Sequence, residues 1–197
     1  IRDARAELDR PQRTQAMTHE LLQVELSGPA RIRAGDRLQT FTLVREVDGV
    51  GRILRPTGVL EVESVQEAGV VGRVVKEFTR VRLGNWVRPL PSYSLTPGAE
   101  AESVDSDLTA TILSFADDRV IYPIGSTALL DVGEEEGITI GDEFSAYVNT
   151  GAGWTEVEAA RLQVVLVDGN ISTARITQIR EPTIEAGDEV RLVRKMN

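Results

Sequence analysis

Residues 31–41 read RIRAGDRLQTF, and residues 137–147 read GITIGDEFSAY. Both contain the pattern apolar-x-x-Gly-Asp/Asn-x-apolar, termed here the turn phrase, which recurs at 81–87 and 184–190. Glycine can adopt the positive φ that a tight turn needs, and Asp or Asn can bond to nearby backbone N–H groups. The phrase therefore predicts a turn leading into a β-strand. The predicted structural turn residues are Gly35, Asp36, Gly84, Asn85, Gly141, Asp142, Gly187 and Asp188.

The four turn phrases form two pairs with matching spacing. The glycines are 49 residues apart in the first pair and 46 apart in the second. Corresponding glycines of the two pairs are 106 and 103 residues apart. Self-similarity at a fixed period is the sequence signature of a repeated structural unit. The sequence therefore predicts a duplicated chain with one pair of phrases in each copy.

Between its two phrases, each copy has two runs of β-branched residues joined by a short turn. Such runs around a turn of the Asp-Gly kind predict a β-hairpin. The runs are 59–65 and 72–78 around Ala68-Gly69, and 162–167 and 171–176 around Asp168-Gly169-Asn170. We predict a mostly β fold with two tandem, internally duplicated, small antiparallel β-barrel or sandwich domains of five or six strands each.

Proline, glycine and acidic residues mark the predicted domain boundary. The N-terminal segment is polar and interrupted by Pro11, which predicts either an extended arm or a short helix from Asp3 to Arg10. The predicted divisions are an N-terminal arm at 1–20, a first β-domain at 21–91, a linker at 92–107 and a second β-domain at 108–197.

The net charge of −9 is unevenly distributed along the chain. Residues 1–98 carry 15 basic and 12 acidic side chains, whereas residues 99–197 carry 7 and 19. The halves therefore have net charges of +3 and −12. The acidic half would repel phosphates, so nucleic acid is not an expected partner. This division of charge either keeps each domain soluble or fits the two domains to two different partners.

The sequence predicts no transmembrane segment, because no apolar run approaches the roughly 20 residues that span a bilayer. The chain begins at Ile1 rather than Met, so we expect a trimmed chain whose export signal or anchor is missing. Membrane association is then expected only through partners or through a missing N-terminus.

Residue types that build catalytic and metal sites are scarce. Cysteine is absent, and His19 is the single histidine. A zinc or haem ligand set cannot be assembled from one histidine and two methionines. We therefore predict no enzyme activity, no cofactor and no metal site.

Acidic and glycine-rich segments also have simpler interpretations than ligand binding. The acidic residues at 105–107, 117–118 and 134–136 lack the twelve-residue pattern of an EF-hand loop, which favours a solvated acidic face. Glycine-rich residues 49–51 and 151–153 lack the Lys-Ser/Thr ending of a phosphate loop, so they are predicted connectors.

Trp86 breaks the turn phrase in an informative way. The residue two places after the glycine is Arg37, Glu143 or Glu189 in the other three phrases. Strand alternation points this position outward, and Trp and Arg are enriched at interface hot spots. We predict a partner-binding surface formed by Arg80, Arg82, Trp86 and Arg88.

Two questions about tryptophan stay open at this point. Trp86 could instead pack on Pro89–Pro91 or on the other domain. Trp154 either caps its barrel or meets a partner, and the sequence does not decide between these roles.

The second copy resembles the C-terminal β-domain of flagellar assembly protein T, on residues 130–133, 137–144, 172–176 and 186–190. The first copy resembles the companion module of LysM-linked bacterial envelope proteins, on residues 55–60 and 87–91. No LysM repeat is visible in the sequence. The resemblance implies an exported, non-catalytic module in the periplasm or at the extracytoplasmic face of a bacterial membrane, packed against other envelope components.

We therefore expect a structural adaptor or scaffold subunit that docks onto protein subunits of a larger envelope or membrane complex. Candidate complexes are a flagellar basal body, a peptidoglycan-linked complex and a membrane complex such as a photosynthetic reaction centre. The alternative is a peptidoglycan-associated, LysM-type cell-wall binding protein, which would need an exposed aromatic groove.

Overall fold

A computed structural model describes residues 4–7, 14–25, 31–91, 98, 100–149 and 156–196. The chain divides into two compact units, residues 1–94 and 95–197, here termed unit 1 and unit 2. The described elements are fifteen β-strands and one 3-10 helix. The predicted mostly β fold is confirmed.

Unit 1 is a closed six-stranded antiparallel barrel. Its strands in chain order are β1 (Ala4–Glu7), β2 (Gln15–Ala16), β3 (Leu21–Glu25), β4 (Arg37–Val47), β5 (Gly51–Gln66), β6 (Gly69–Glu77), β7 (Val81–Arg82) and β8 (Trp86–Pro89). The barrel order is β1-β3-β6-β5-β4-β8, and β1 pairs with β8 to close the ring. Strands β2 and β7 form a separate two-stranded sheet.

Unit 2 arranges its strands in the same way. They are β9 (Ala101–Ser103), β10 (Thr109–Phe115), β11 (Thr127–Leu130), β12 (Glu143–Asn149), β13 (Glu156–Asp168), β14 (Ile171–Ile179) and β15 (Glu189–Met196), with a 3-10 helix at Glu134–Glu136. The sheet order is β10-β11-β14-β13-β12-β15, and β10 also pairs with β15. Six strands therefore close on themselves, while β9 pairs with the end of β15.

Alternating apolar side chains fill the interior of each ring. In β4, Leu38 and Thr40 are buried while Arg37 is exposed, as strand periodicity requires. Burying one large aliphatic side chain contributes about 1.5–3 kcal/mol. The core of unit 1 includes Leu22, Val24, Leu38, Leu60, Val62, Val70, Val74 and Val87. The core of unit 2 includes Ile112, Phe115, Leu130, Phe144, Leu162, Val164, Ile176 and Val190.

The N-terminal arm and the linker differ from the sequence prediction. Ala4–Glu7 is extended rather than helical, and as a strand it pairs with both β3 and β8 within the barrel. Ala101–Ser103 lies inside the predicted linker but pairs with β15. Both segments are too short to show a clear strand period, and the pairing partners that fix them are distant in sequence.

Several irregularities of strand register occur at matching places in the two units. The bulge after Thr40 in the β4–β5 pair has a counterpart after Ala146 in the β12–β13 pair. The β5–β6 pair has bulges at Val59/Leu60 and Val62/Ser64, and the β13–β14 pair has them at Arg161/Leu162 and Val164/Leu166, 102 residues later. Because a bulge changes which residues face the core, matched bulges support the predicted duplication. The duplication itself stays a prediction.

All four turn phrases have one local geometry. The glycines at 35, 84, 141 and 187 have φ values of 89°, 78°, 100° and 100°. In each turn the Asp or Asn side chain accepts a hydrogen bond from the backbone N–H three residues earlier, at 2.8, 2.9, 2.8 and 2.7 Å. The side chain therefore satisfies a donor that the turn would otherwise leave unpaired.

The turns are also tied to a strand elsewhere in the same ring. The Gly35 N–H donates to the Val62 carbonyl at 2.8 Å, and the Val62 N–H donates to the Asp36 carbonyl at 2.8 Å. Gly141 and Asp142 make the same pair of bonds with Val164. These two turns thus fix both the start of their own strand and its position against another strand.

Two further turns share this geometry, although the sequence pattern did not identify them. His19 and Gly125 have φ values of 74° and 90°, and they precede Gly35 and Gly141 by 16 residues each. The His19 N–H donates to the Val74 carbonyl, and the Gly125 N–H donates to the Ile176 carbonyl, both at 2.8 Å. Histidine replaces the expected glycine in one turn, and Ser126 replaces the expected Asp in the other.

Asp142 differs from the other turn acids because it is fully buried, with 0% of its surface exposed. Its carboxylate accepts hydrogen bonds from the backbone N–H of Thr139 at 2.8 Å and from that of Met196 at 2.8 Å. It also forms an ion pair with Lys195 at 2.6 Å. The third turn therefore anchors the last strand of the chain.

His19 gives a first stability test, because a positive φ is unfavourable for any residue with a Cβ and worst for a β-branched one. His19→Val should lower the free energy of unfolding by about 1–2 kcal/mol. His19→Gly should leave it unchanged within about 1 kcal/mol, because relief of strain opposes the added chain entropy. Urea unfolding followed by circular dichroism measures both, and equal effects of Val and Gly would contradict the assigned turn.

Asp142 gives a second test. Asp142→Ala should destabilise unit 2 by about 3 kcal/mol, since it leaves buried donors and the Lys195 ammonium without their acceptor. Asp188→Ala is the matched control, because the Asp188 side chain is partly exposed and, among the residues that the structure describes, accepts only the turn bond from the Glu185 N–H. It should cost about 1 kcal/mol. Thermal and urea unfolding of both variants measure the difference, and equal losses would contradict the anchoring role.

Candidate docking surfaces

Trp86 lies partly exposed on the outside of the unit 1 barrel. The next residue, Val87, is buried, so the alternation along β8 directs the indole outward. Phe41 of β4 is directly opposite Trp86 in the strand register, and Gln39 is opposite Arg88. Directly opposed residues of antiparallel strands share one face of the sheet. Trp86, Arg88 and Phe41 therefore lie on the same outer face.

Arg52 adds a cation to this face. Its guanidinium lies 5.0 Å from the centroid of the Trp86 ring, which is within the range of a cation–π interaction. The same side chain pairs with Glu46 at 2.9 Å. Leu43, two residues along the strand from Phe41, is exposed. We term the set Phe41, Leu43, Arg52, Trp86 and Arg88 the aromatic–arginine face.

The other two predicted residues precede strand β8 in the chain. Arg80 and Arg82 are exposed, and Arg82 lies opposite Gln15 in the small β2–β7 sheet. Pro89–Pro91 line a groove of about 380 Å³ together with Ile32 and Leu38. The sequence did not indicate Arg52, because its approach to Trp86 depends on the path of the long β4–β5 hairpin.

Unit 2 carries a different outer feature, the apolar loop at residues 116–126. Val120 is 97% exposed, Ile121 59% and Ile124 64%. Single exposed apolar residues are common, but three large ones on one short loop form a patch of the kind that marks interaction sites. The sequence pattern does not mark them as exposed, because apolar residues close together in a chain usually indicate a buried segment.

The apolar loop is held firmly at its base. The rings of Phe115 and Tyr122 stack with centroids 3.6 Å apart and planes at 12°. The Ala116 N–H donates to the Thr127 carbonyl at 2.8 Å, and the Ser126 N–H donates to the Pro123 carbonyl at 3.0 Å. These contacts anchor one side of the loop to the core, and they leave Val120, Ile121 and Ile124 outside.

The fold itself does not need apolar residues at these positions. With the 106-residue offset that aligns the turns, Val120, Ile121 and Ile124 correspond to Thr14, Gln15 and Thr18 in unit 1. Those three residues are polar and exposed. A requirement of the shared architecture would apply to both units, so the apolar character of the loop points to a role outside folding.

The outer face of unit 2 that corresponds to the aromatic–arginine face is charged instead. Glu189 takes the place of Trp86, and Tyr147 takes the place of Phe41. The Arg191 guanidinium lies 5.2 Å from the Tyr147 centroid and pairs with Glu156 at 2.7 Å. That hydrogen bond lowers the pKa of the Glu156 carboxyl.

Glu158 is the centre of an ion-pair network on the same face. Its carboxylate accepts a 2.6 Å hydrogen bond from the Ser145 hydroxyl and pairs with Arg161 at 2.6 Å and Arg180 at 3.4 Å. Burial alone would raise the pKa of Glu158, but the bonds from Ser145 and Arg161 outweigh it, so this pKa lies below its ordinary value. The network stabilises this face of the barrel in its charged form.

Buried polar groups in unit 1 form a structural cluster. The Thr40 and Thr57 hydroxyls are 2.7 Å apart, and the Thr57 hydroxyl donates to the Asn85 side-chain oxygen at 3.1 Å. All three side chains are buried. Their mutual bonds satisfy groups that would otherwise be costly to bury, and they connect the second turn phrase of unit 1 to strands β4 and β5.

The remaining sequence predictions have these outcomes. His19 is exposed in the turn described above. Trp154 and residues 151–153 lie outside the described residues. Across the described ranges, no group of three or more His, Asp or Glu side chains is arranged to hold a metal ion. No helix in the part of the chain that the structure describes is long and apolar enough to cross a membrane.

Comparison with protein-family models, curated proteins and solved structures finds no match to this chain.

The Glu158 network gives a pH prediction. A carboxyl whose folded pKa lies below its ordinary value of 4.5 adds stability above that pH, and this stability is lost as the pH falls through the folded pKa. Glu158→Gln should therefore flatten the loss of stability of unit 2 between about pH 5 and pH 3. Urea unfolding at several pH values measures this slope. Glu185→Gln is the exposed control, and a wild-type slope in Glu158→Gln would contradict the prediction.

Proposed function

We propose that this protein is a non-catalytic structural adaptor or scaffold subunit of a bacterial envelope assembly. It binds protein subunits through two surfaces, the aromatic–arginine face of unit 1 and the apolar loop of unit 2. The observation that carries the proposal is the exposure of Val120, Ile121 and Ile124 on a loop whose base is anchored to the core. The fold does not require these apolar residues, so a binding role explains them better.

The energetics of each surface favour protein partners. Covering an exposed Val or Ile side chain gains about 1.5–3 kcal/mol, and an adjacent set of three can supply a small hot spot. Trp86 with Arg52 and Arg88 brings together the two residue types most enriched at interface hot spots. Trp86 and the loop residues Val120, Ile121 and Ile124 have few rotatable bonds, which reduces the entropy cost of ordering them on binding.

The extracytoplasmic location rests on the resemblance of the two units to envelope modules. The partner complex in this proposal is a larger envelope or membrane assembly, such as a flagellar basal body, a peptidoglycan-linked complex or a photosynthetic reaction centre complex. The acidic charge of unit 2 adds a constraint, because it disfavours contact with anionic lipid headgroups and so favours protein over bilayer.

Site-directed cross-linking tests the proposal directly, because the natural chain has no cysteine. Val120→Cys carrying a photo-activated cross-linker should form covalent adducts with envelope proteins in cells that make this protein. Val65→Cys is the matched control, since Val65 is 52% exposed but lies outside both surfaces. Adducts from position 120 and not from position 65, identified by mass spectrometry, are the expected result. Adducts only with cytoplasmic proteins, or equal labelling from both positions, would overturn the proposal.

Cell-wall glycan binding is the alternative, and the pairing of Phe41 with Trp86 on an outer face is the observation in its favour. The Arg52 guanidinium covers one side of the Trp86 ring, however, which is the surface on which a sugar would stack. Sedimentation with purified peptidoglycan distinguishes the two functions. Retention that Trp86→Ala abolishes would support glycan binding, and protein that stays in solution would support the adaptor.

A further inference from the structure

We propose that the apolar loop of one copy binds the aromatic–arginine face of a second copy of this chain. This inference rests on the proposed function, because it takes both surfaces as docking surfaces. It adds that the partner of each surface is the other surface on a second copy of the chain. The protein would then be a scaffold that assembles with itself rather than an adaptor that acts as a single copy.

Charge complementarity is the first observation that supports a second copy. Unit 1 has a net charge of +3 and unit 2 a net charge of −12. The charges counted for residues 1–98 and 99–197 apply to units that divide between residues 94 and 95, because residues 95–98 are uncharged. Two copies therefore attract when unit 1 of one approaches unit 2 of the other, and they repel when two acidic units meet. Fields of this kind steer association and fix the orientation of the partners.

The residues of the two surfaces are also complementary, both in apolar character and in charge. Val120, Ile121 and Ile124 supply an apolar projection, and Phe41, Leu43 and Trp86 supply an apolar face. At the base of the loop Arg119 pairs with Asp117 at 3.8 Å, which leaves the exposed Asp118 as the net negative charge there, while Arg52 and Arg88 lie beside Trp86. The apolar groups would cover one another at the centre, and opposite charges would meet at the rim, as in other specific interfaces.

The surfaces differ from one another, so the contact is heterologous. Such a contact generates rings if the rotation closes and filaments if it does not, and an open assembly has one unused loop and one unused face at its ends. The free ends of the assembly remain able to bind other envelope proteins.

Sedimentation velocity over a concentration series tests self-association of the purified chain. We expect reversible association with a Kd below about 1 mM, which weakens as salt screens the opposite charges. The loop double variant V120D/I121D should raise the Kd at least about tenfold, and so should the face variants Trp86→Ala and Arg52→Glu. Val65→Asp is the control for adding an acid at an exposed valine, and it should leave the Kd unchanged.

Mixing the variants gives the sharpest result. V120D/I121D keeps an intact face, and Arg52→Glu keeps an intact loop, so an equimolar mixture should form a one-to-one dimer that cannot grow further. Thermal melting by circular dichroism verifies that each variant is folded. A wild-type chain that stays monomeric at every concentration would overturn the inference. Loop and face variants that still associate like wild type, or a mixture of folded variants that stays monomeric, would overturn it as well.

A failure of self-assembly can be distinguished from a failure of the proposed function. A monomeric chain whose position 120 still cross-links to other envelope proteins would remove self-assembly and leave the adaptor role standing. A chain that assembles with itself but cross-links only to cytoplasmic proteins would do the reverse.

Discussion

The hydrogen bond from a turn side chain to the backbone N–H three residues before it is the constraint on which this architecture depends. It occurs with Asp36, Asn85, Asp142 and Asp188, each directly after a glycine with positive φ. A small barrel can close only if each strand starts at the right height against its neighbours. The reciprocal backbone bonds between Gly35–Asp36 and Val62 set that height, because they connect the turn to the middle of a distant strand.

The two units use the same closed ring to present different surfaces. Their strand orders agree and several of their bulges match, which keeps the positions compared here on equivalent sides of the barrel wall. At those positions unit 1 has Trp86 and Phe41, where unit 2 has Glu189 and Tyr147. The apolar residues Val120, Ile121 and Ile124 likewise stand where unit 1 has polar side chains. Interior positions are similar while these outward positions differ, as expected when the interior determines the fold and the exterior determines the partners.

The sequence predicted the features that are local and periodic, and it missed those that depend on distant pairing. The mostly β fold was predictable, because hairpin signals and turn phrases act over a few residues. The strand at Ala4–Glu7 was not, because its place is set by β3 and β8 rather than by its own composition. The turn at His19 escaped the pattern because it lacks glycine, and only the register shows that it is equivalent to Gly125. For the candidate surfaces, alternation correctly directed Trp86 outward, whereas the contribution of Arg52 and the exposure of Val120 required the path of the chain.

Closure of the rings has a consequence for how partners can be recognised. In an open sheet the outermost strand offers unused N–H and C=O groups, and another protein can join by adding a strand. In each ring the six strands use such groups in hydrogen bonds to one another. Where a strand is paired on both sides, recognition comes from side chains, which substitution can change one at a time without disturbing the backbone. Such a scaffold can acquire new neighbours during evolution while keeping its framework.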